Sequence, residues 1–175
     1  MPTGVDVFDL KSNLADPQAG ANYSLTYWNA DTFGNDQFSQ ATLGGTAIAS
    51  WYAGVADRIQ SGALTAYLFG NIQGVYKLIY ITAGSSNVLA TGSGTPTAGD
   101  VLKLEISGTG LTGKVNGVSN ATATDSALAS GQAGLFGYGG NGLATLDDWS
   151  GDNIGAAPSQ VPYQPKYLWS PVMAQ

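Results

Sequence analysis

The chain contains neither cysteine nor histidine, which excludes thiolate chemistry, disulfides, imidazole bases and the usual zinc ligands. Oxygen groups and aromatic rings are left to do chemistry. Asp147, Asp148 and Asp152, with Asn153 beside them, bring hard oxygen donors close together, the donor type that calcium takes, although no EF-hand spacing is present. Turn-forming carboxylates at a strand end explain the same cluster without a metal. Trp51, Tyr52 and Tyr138, together with Trp28 and the amide of Asn141, could supply flat stacking faces and hydrogen-bonding groups. Aromatics that alternate along strands are mostly core, so about three in four of these rings are expected to be buried. Arg58, after Gly54-Val55-Ala56-Asp57, reads as one half of an internal ion pair. No catalytic residue, cofactor or firm metal site is expected.

The elements that must hold these residues are strands. At 175 residues with 43% hydrophobic content the chain suits one domain, and 25 glycines, seven prolines and 10% charged residues describe an all-β protein with many tight turns. Alternation of apolar and polar residues predicts strands over 23–28, 37–43, 48–56, 63–69, 75–82, 88–90, 101–106, 111–115, 118–121, 131–138 and 144–149. The clearest is 101–106, where Leu102, Leu104 and Ile106 fall on one face and Glu105, the sole glutamate, on the other. Asn116-Gly117 suits a two-residue type I′ hairpin. A single helical turn is expected over 125–130. These strands define a two-sheet antiparallel jelly-roll sandwich over 22–155, preceded by an arm or edge strand over 1–21.

Residues 156–175 differ in kind. Four prolines there exclude a helix or an interior strand, while Tyr163, Tyr167, Leu168 and Trp169 are too apolar for a solvated tail. The segment is expected to dock on a partner subunit by strand addition or by anchoring its rings in grooves, with folding back onto its own sandwich as the alternative.

A net charge of −6 with six scattered basic residues argues against nucleic acid as a partner. No uncharged apolar run approaches the roughly 20 residues of a membrane helix. Met1-Pro2-Thr3-Gly4-Val5-Asp6 lacks a basic and an apolar region, so synthesis and folding in a cytoplasm are expected.

The order of several short runs resembles the concanavalin A-like lectin/glucanase sandwich, particularly the small laminin-G-like domains of bacterial surface and bacteriophage proteins. The runs are Asp36-Gln37-Phe38-Ser39-Gln40-Ala41-Thr42-Leu43, Tyr52-Ala53-Gly54-Val55-Ala56-Asp57-Arg58, Gly99-Asp100-Val101-Leu102-Lys103-Leu104-Glu105, Val115-Asn116-Gly117, Gly131-Gln132-Ala133-Gly134-Leu135 and Asp147-Asp148-Trp149. The resemblance implies two curved antiparallel sheets, and a non-enzymatic structural role: a capsid decoration or other virion surface component, made in a host cytoplasm. Such a component would assemble as a homo-oligomer on a major capsid protein, with Trp51, Tyr52, Tyr138 and Asn141 facing a surface glycan. The alternative is a stand-alone carbohydrate-binding module acting outside the cell. Some relatives cleave glycans with two carboxylates about 5.5 Å apart. That third reading is weak, because Glu105 stands alone and Asp147 and Asp148, as strand neighbours, would point to opposite faces.

Overall fold

The computed structural model describes residues 8–11, 14–17, 23–45, 51–138, 145–155 and 169–171. The regular structure among them is entirely β-strand. In chain order the strands are β1 (Phe8–Lys11), β2 (Leu14–Pro17), β3 (Tyr23–Trp28), β4 (Gln37–Gly44), β5 (Tyr52–Ile59), β6 (Ala66–Ile72) and β7 (Tyr76–Thr82). They continue as β8 (Ser85–Thr91), β9 (Val101–Ser107), β10 (Gly110–Val115), β11 (Val118–Thr124), β12 (Gln132–Tyr138), β13 (Thr145–Asn153) and β14 (Trp169–Pro171). The first sheet has the order β1-β2-β13-β4-β9-β10-β11 and the second β14-β3-β12-β5-β6-β7-β8, giving the expected all-β jelly-roll sandwich.

Period-2 patterning builds the space between the sheets. Leu102, Leu104 and Ile106 on β9 are fully buried there, and Ala41 and Leu43 on β4 join them. From the second sheet Val55, Tyr67, Phe69, Leu78 and Leu135 face them. The Phe69 ring lies so close to Gly113 that a Cβ at that position would stand 2.2 Å from it, so the sheets meet at this distance only because β10 carries a glycine there.

The second sheet is buried on both faces. Its outer residues Leu25, Ala56, Leu68, Ile79, Ile81 and Phe136 form a separate apolar cluster, against which Tyr23, Tyr27, Tyr52 and Leu64 pack. Gly54 and Gly70 pair across β5 and β6, and a Cβ on Gly54 would lie 2.4 Å from the Phe69 carbonyl oxygen and 2.8 Å from the Gly70 Cα. Backbones crowd in this way on the inside of a curve, so the outer face is concave. Its curvature brings Ser86 on β8 within reach of the Tyr23 phenol on β3, five strands apart in the sheet order.

Several expectations are corrected. β6 begins and ends three residues later than the pattern predicts, because Gly70 lies within the strand for close packing and the turn is made by Gln73 and Gly74, both at positive φ (54° and 74°). No helical turn forms at 125–130: Tyr67 Oη donates to Asp125, Ala127 N also donates to Asp125 (2.8 Å), and Leu128 N donates to Tyr67 Oη (3.1 Å). β2 was not foreseen, since Asp16-Pro17 reads as a breaker, yet its backbone pairs with β1 and with Leu146 of β13.

Arg58 makes no ion pair among the described residues. Its φ of 51° turns the side chain out of register, and the guanidinium donates to three backbone carbonyls, those of Asn35 (2.7 Å), Gly108 (2.7 Å) and Leu128 (2.6 Å). It thereby ties three loops at one end of the sandwich. Arg58→Met keeps the apolar volume but leaves those carbonyls without a donor, and is expected to cost about 3 kcal/mol or more in urea denaturation. Lys103→Met, which breaks a half-exposed pair with Glu105, is expected to cost about 1 kcal/mol or less. Equal losses would show that the Arg58 carbonyl bonds hold nothing. Leu104→Ala, at the centre of the core, is expected to cost about 2–5 kcal/mol in the same measurement.

Candidate aromatic binding site

Register brings three tyrosines into one row. Tyr138 on β12 pairs with Tyr23 on β3 at one side and with Tyr52 on β5 at the other. Their side chains share the concave face, at one end of the strands, with ring centroids 5.6 Å (Tyr23–Tyr52), 5.4 Å (Tyr23–Tyr138) and 4.9 Å (Tyr52–Tyr138) apart. The rings meet at 55–79°, edge or tilt against face, so each leans on its neighbours and leaves part of itself open. All three are half-buried. Burial raises the Tyr23 phenol above its ordinary pKa against a lowering bond from Ser86, and burial followed by the nearby Tyr138 raises that of Tyr52. The Tyr23 and Tyr52 phenols are therefore neutral at physiological pH, able to donate and to accept.

The supports of the row are local. Asn71, buried on β6, donates from Nδ2 to the Trp51 carbonyl (2.8 Å) and accepts from Gly74 N (2.9 Å) through Oδ1, which fixes the start of β5 against the β6–β7 turn. Gly54 leaves room for the Phe136 ring, which a Cβ there would approach to 2.6 Å. Phe136 and Leu25 in turn form the apolar floor next to the tyrosines.

The sequence-predicted residues divide. Tyr52 and Tyr138 come together as expected. Trp51 does not join them: it packs against the core between the sheets, since strand neighbours point to opposite faces. Asn141 lies outside the described residues. Trp28 sits beside Trp149 (5.9 Å between centroids) and donates from Nε1 to Asp31 (2.8 Å). Tyr23 was not singled out, although the alternation Tyr23-Ser24-Leu25-Thr26-Tyr27 carries the signal that it shares a face with Leu25 and Tyr27.

Asp147, Asp148 and Asp152 do not converge on a metal site; among the described residues no group of three or more acidic side chains could hold one. A bulge with Asp148 at φ 50° separates them, Asp147 accepts from Asp148 N (2.8 Å), and Asp152 accepts from Asn153 N (2.7 Å). Within β13, Asp147 and Asp152 each hold the backbone N–H of the next residue. Asp100 is likewise structural: it accepts from Tyr76 Oη, from Thr97 N (2.7 Å) and Oγ1 (2.8 Å), and from Asn116 Nδ2 (2.9 Å). Glu105, on the outer face of the first sheet, is held by Lys103 (2.8 Å) and Lys114 (2.6 Å). The backbone of Trp169–Pro171 adds to the edge of β3 opposite Thr26–Trp28 in the same chain, while Tyr163, Tyr167 and Leu168 lie outside the described residues.

Solved structures share this fold. The carbohydrate binding module CBM66 from Bacillus subtilis superposes with a TM-score of 0.72 at 15% identity, over 85% of this chain and 92% of that one. The GH43 BlXynB protein from Bacillus licheniformis gives 0.51 at 14% identity over 82% of this chain, which spans 34% of that protein's length. No family model matches the sequence, and neither does any curated protein. The chain shares its two-sheet jelly-roll sandwich fold with these structures.

The phenol environment is directly measurable. In an absorbance titration, Tyr52→Phe and Tyr23→Phe should each remove a component that ionises above pH 10 in the unaltered protein. Because both values are raised on folding, the stability held by the neutral phenols persists below pH 10 and falls as pH rises through the folded values. Loss of a component at the ordinary value instead would place those rings in water.

Proposed function

We propose that this chain is a carbohydrate-binding module that holds a glycan on the Tyr23, Tyr52 and Tyr138 rim without cleaving it. The observation that carries the reading is the meeting of three half-buried tyrosines from three adjacent strands at one end of a concave face. Tyrosine offers a flat apolar face for the C–H side of a sugar ring and a hydroxyl for its polar edge, at low cost in side-chain entropy. The shape shared with CBM66 supports the reading. Binding without hydrolysis is supported by Glu105, which lies on the other sheet and is engaged by two lysines, its pKa lowered by Lys103 and Lys114 against the raising effect of burial. A general acid needs the opposite shift. The virion-surface role rests on sequence resemblance alone.

Affinity electrophoresis and calorimetry against plant, algal and bacterial polysaccharides test this. Tyr52→Ala and Tyr138→Ala are expected to weaken binding about tenfold or more, while a surface change such as Thr112→Ala leaves it intact. Tyr52→Phe separates ring stacking from hydroxyl bonding. No binding to any polysaccharide at millimolar sugar, or full binding by both alanine variants at an unchanged fold, would falsify the proposal.

A further inference from the structure

We infer that the glycan bound at this rim is acidic, and that Lys77 recognises its carboxylate or sulfate group. The inference rests on the glycan-binding reading and goes further by assigning the ligand's charge. Lys77 on β7 pairs with Gly70, Gly70 with Gly54, Gly54 with Phe136 and Phe136 with Leu25, so these five residues form one row on the concave face. The adjacent row on that face is Tyr23, Tyr138, Tyr52 and Ile72. Strands about 4.8 Å apart and same-face neighbours about 7 Å apart place the Lys77 and Tyr52 backbones about 12 Å from each other before curvature shortens the path. Two linked sugar rings span that gap. The two residues between Lys77 and Phe136 in the row are Gly70 and Gly54, and the Phe136 ring lies against Gly54.

Charge is distributed in a way that fits. Among the described residues Lys77 is the only charged side chain on the concave face. Lys103 and Lys114 are tied to Glu105, and Arg58 to backbone carbonyls. Asp57 and Asp100 are buried, Glu105 is on the other sheet, and Asp147, Asp148 and Asp152 are on β13 of that sheet. Lys77 is half-buried beside an apolar cluster and has no anionic partner among the described residues. A cation held against apolar surface gains most from an arriving counter-ion, which here would be the ligand's own. The overall charge of −6 is no obstacle at physiological salt, where fields decay within about 8 Å.

The test compares three probes with the unaltered protein, Lys77→Gln and Tyr52→Ala: polygalacturonate for the carboxylate, a sulfated galactan for the sulfate ester, and an unsulfated galactan as the neutral polymer. Calorimetry is run at low and at 0.5 M salt, with melting temperature as the control for folding. The expected result is binding to one or both acidic polymers that weakens with salt. Lys77→Gln should lower it about tenfold or more and remove the salt dependence, at an unchanged melting temperature. Which acidic polymer responds identifies the anion. Equal binding of the neutral galactan that needs Tyr52 but not Lys77 overturns the inference and leaves the glycan-binding reading standing. Failure of both acidic polymers to bind the unaltered protein also overturns the inference, while the glycan-binding reading is decided by the wider polysaccharide panel.

Discussion

The second sheet is apolar on both of its faces, and most of the structure follows from the need to bury each. One face has a ready partner: β9 and β4 present Leu102, Leu104, Ala41 and Leu43 to it. The other has no third layer among the described residues. It is buried instead by curvature, which turns Leu25, Leu68, Ile79, Ile81 and Phe136 toward one another, and by a fringe of half-buried tyrosines with Leu64. Burying a side chain of this size is worth about 1.5–3 kcal/mol, so folding strongly favours the curled sheet over a flat one with an exposed apolar face. Glycine is the means: where Gly54 faces Gly70, backbones approach to distances that a methyl group would forbid.

Polar groups inside this sandwich are arranged to protect that packing. Arg58 is almost fully buried, yet it satisfies loop carbonyls that would otherwise lack donors. Its neighbour Asp57 is less well provided. Ser39 lies beside its carboxyl, but the Ser39 hydroxyl donates to the Ala56 carbonyl (3.0 Å), and neither carboxyl oxygen gains a well-formed partner. Burial raises the Asp57 pKa well above the usual carboxylate value, outweighing Ser39, Arg58 and Lys103, so the core favours the protonated acid. A raised value means that the unfolded chain releases this proton first, so stability falls as pH climbs above about 4 toward the folded value.

Much of the sheet pattern was legible in the sequence because half-buried strands write their burial directly into alternation. β3, β4, β7, β9 and the Asn116-Gly117 hairpin, with φ of 51° and 80°, follow it closely. Alternation fails where both faces are buried: β6 reads as a continuous apolar run, its ends had to be judged from glycines, and Gly70 misled by marking close packing rather than a turn. The site was half legible for a related reason. Period 2 predicts that Trp51 and Tyr52 part company, and that Tyr23 and Leu25 stay together. It does not say which strand lies beside which, and the row Tyr23, Tyr138, Tyr52 exists only because β12 inserts between β3 and β5. That adjacency is a property of chain topology, which local sequence does not encode.

Topology also explains why the tyrosine cluster sits at the rim. The middle of the concave face is filled by its own side chains, with Phe136, Leu68 and Ile79 almost entirely withdrawn from water, so a ligand could enter there only by displacing core. At the strand ends the requirement relaxes, and residues with an apolar body and a polar tip can satisfy the core on one side and water on the other. Three tyrosines meet that condition together. Because each ring is braced by the others, little freedom would remain to be lost if a sugar settled on them as proposed, and preorganisation of this kind strengthens binding without adding contact area. The same constraint that curls the sheet therefore also fixes the rings, and a flat version of this sheet would keep its tyrosines but not their arrangement.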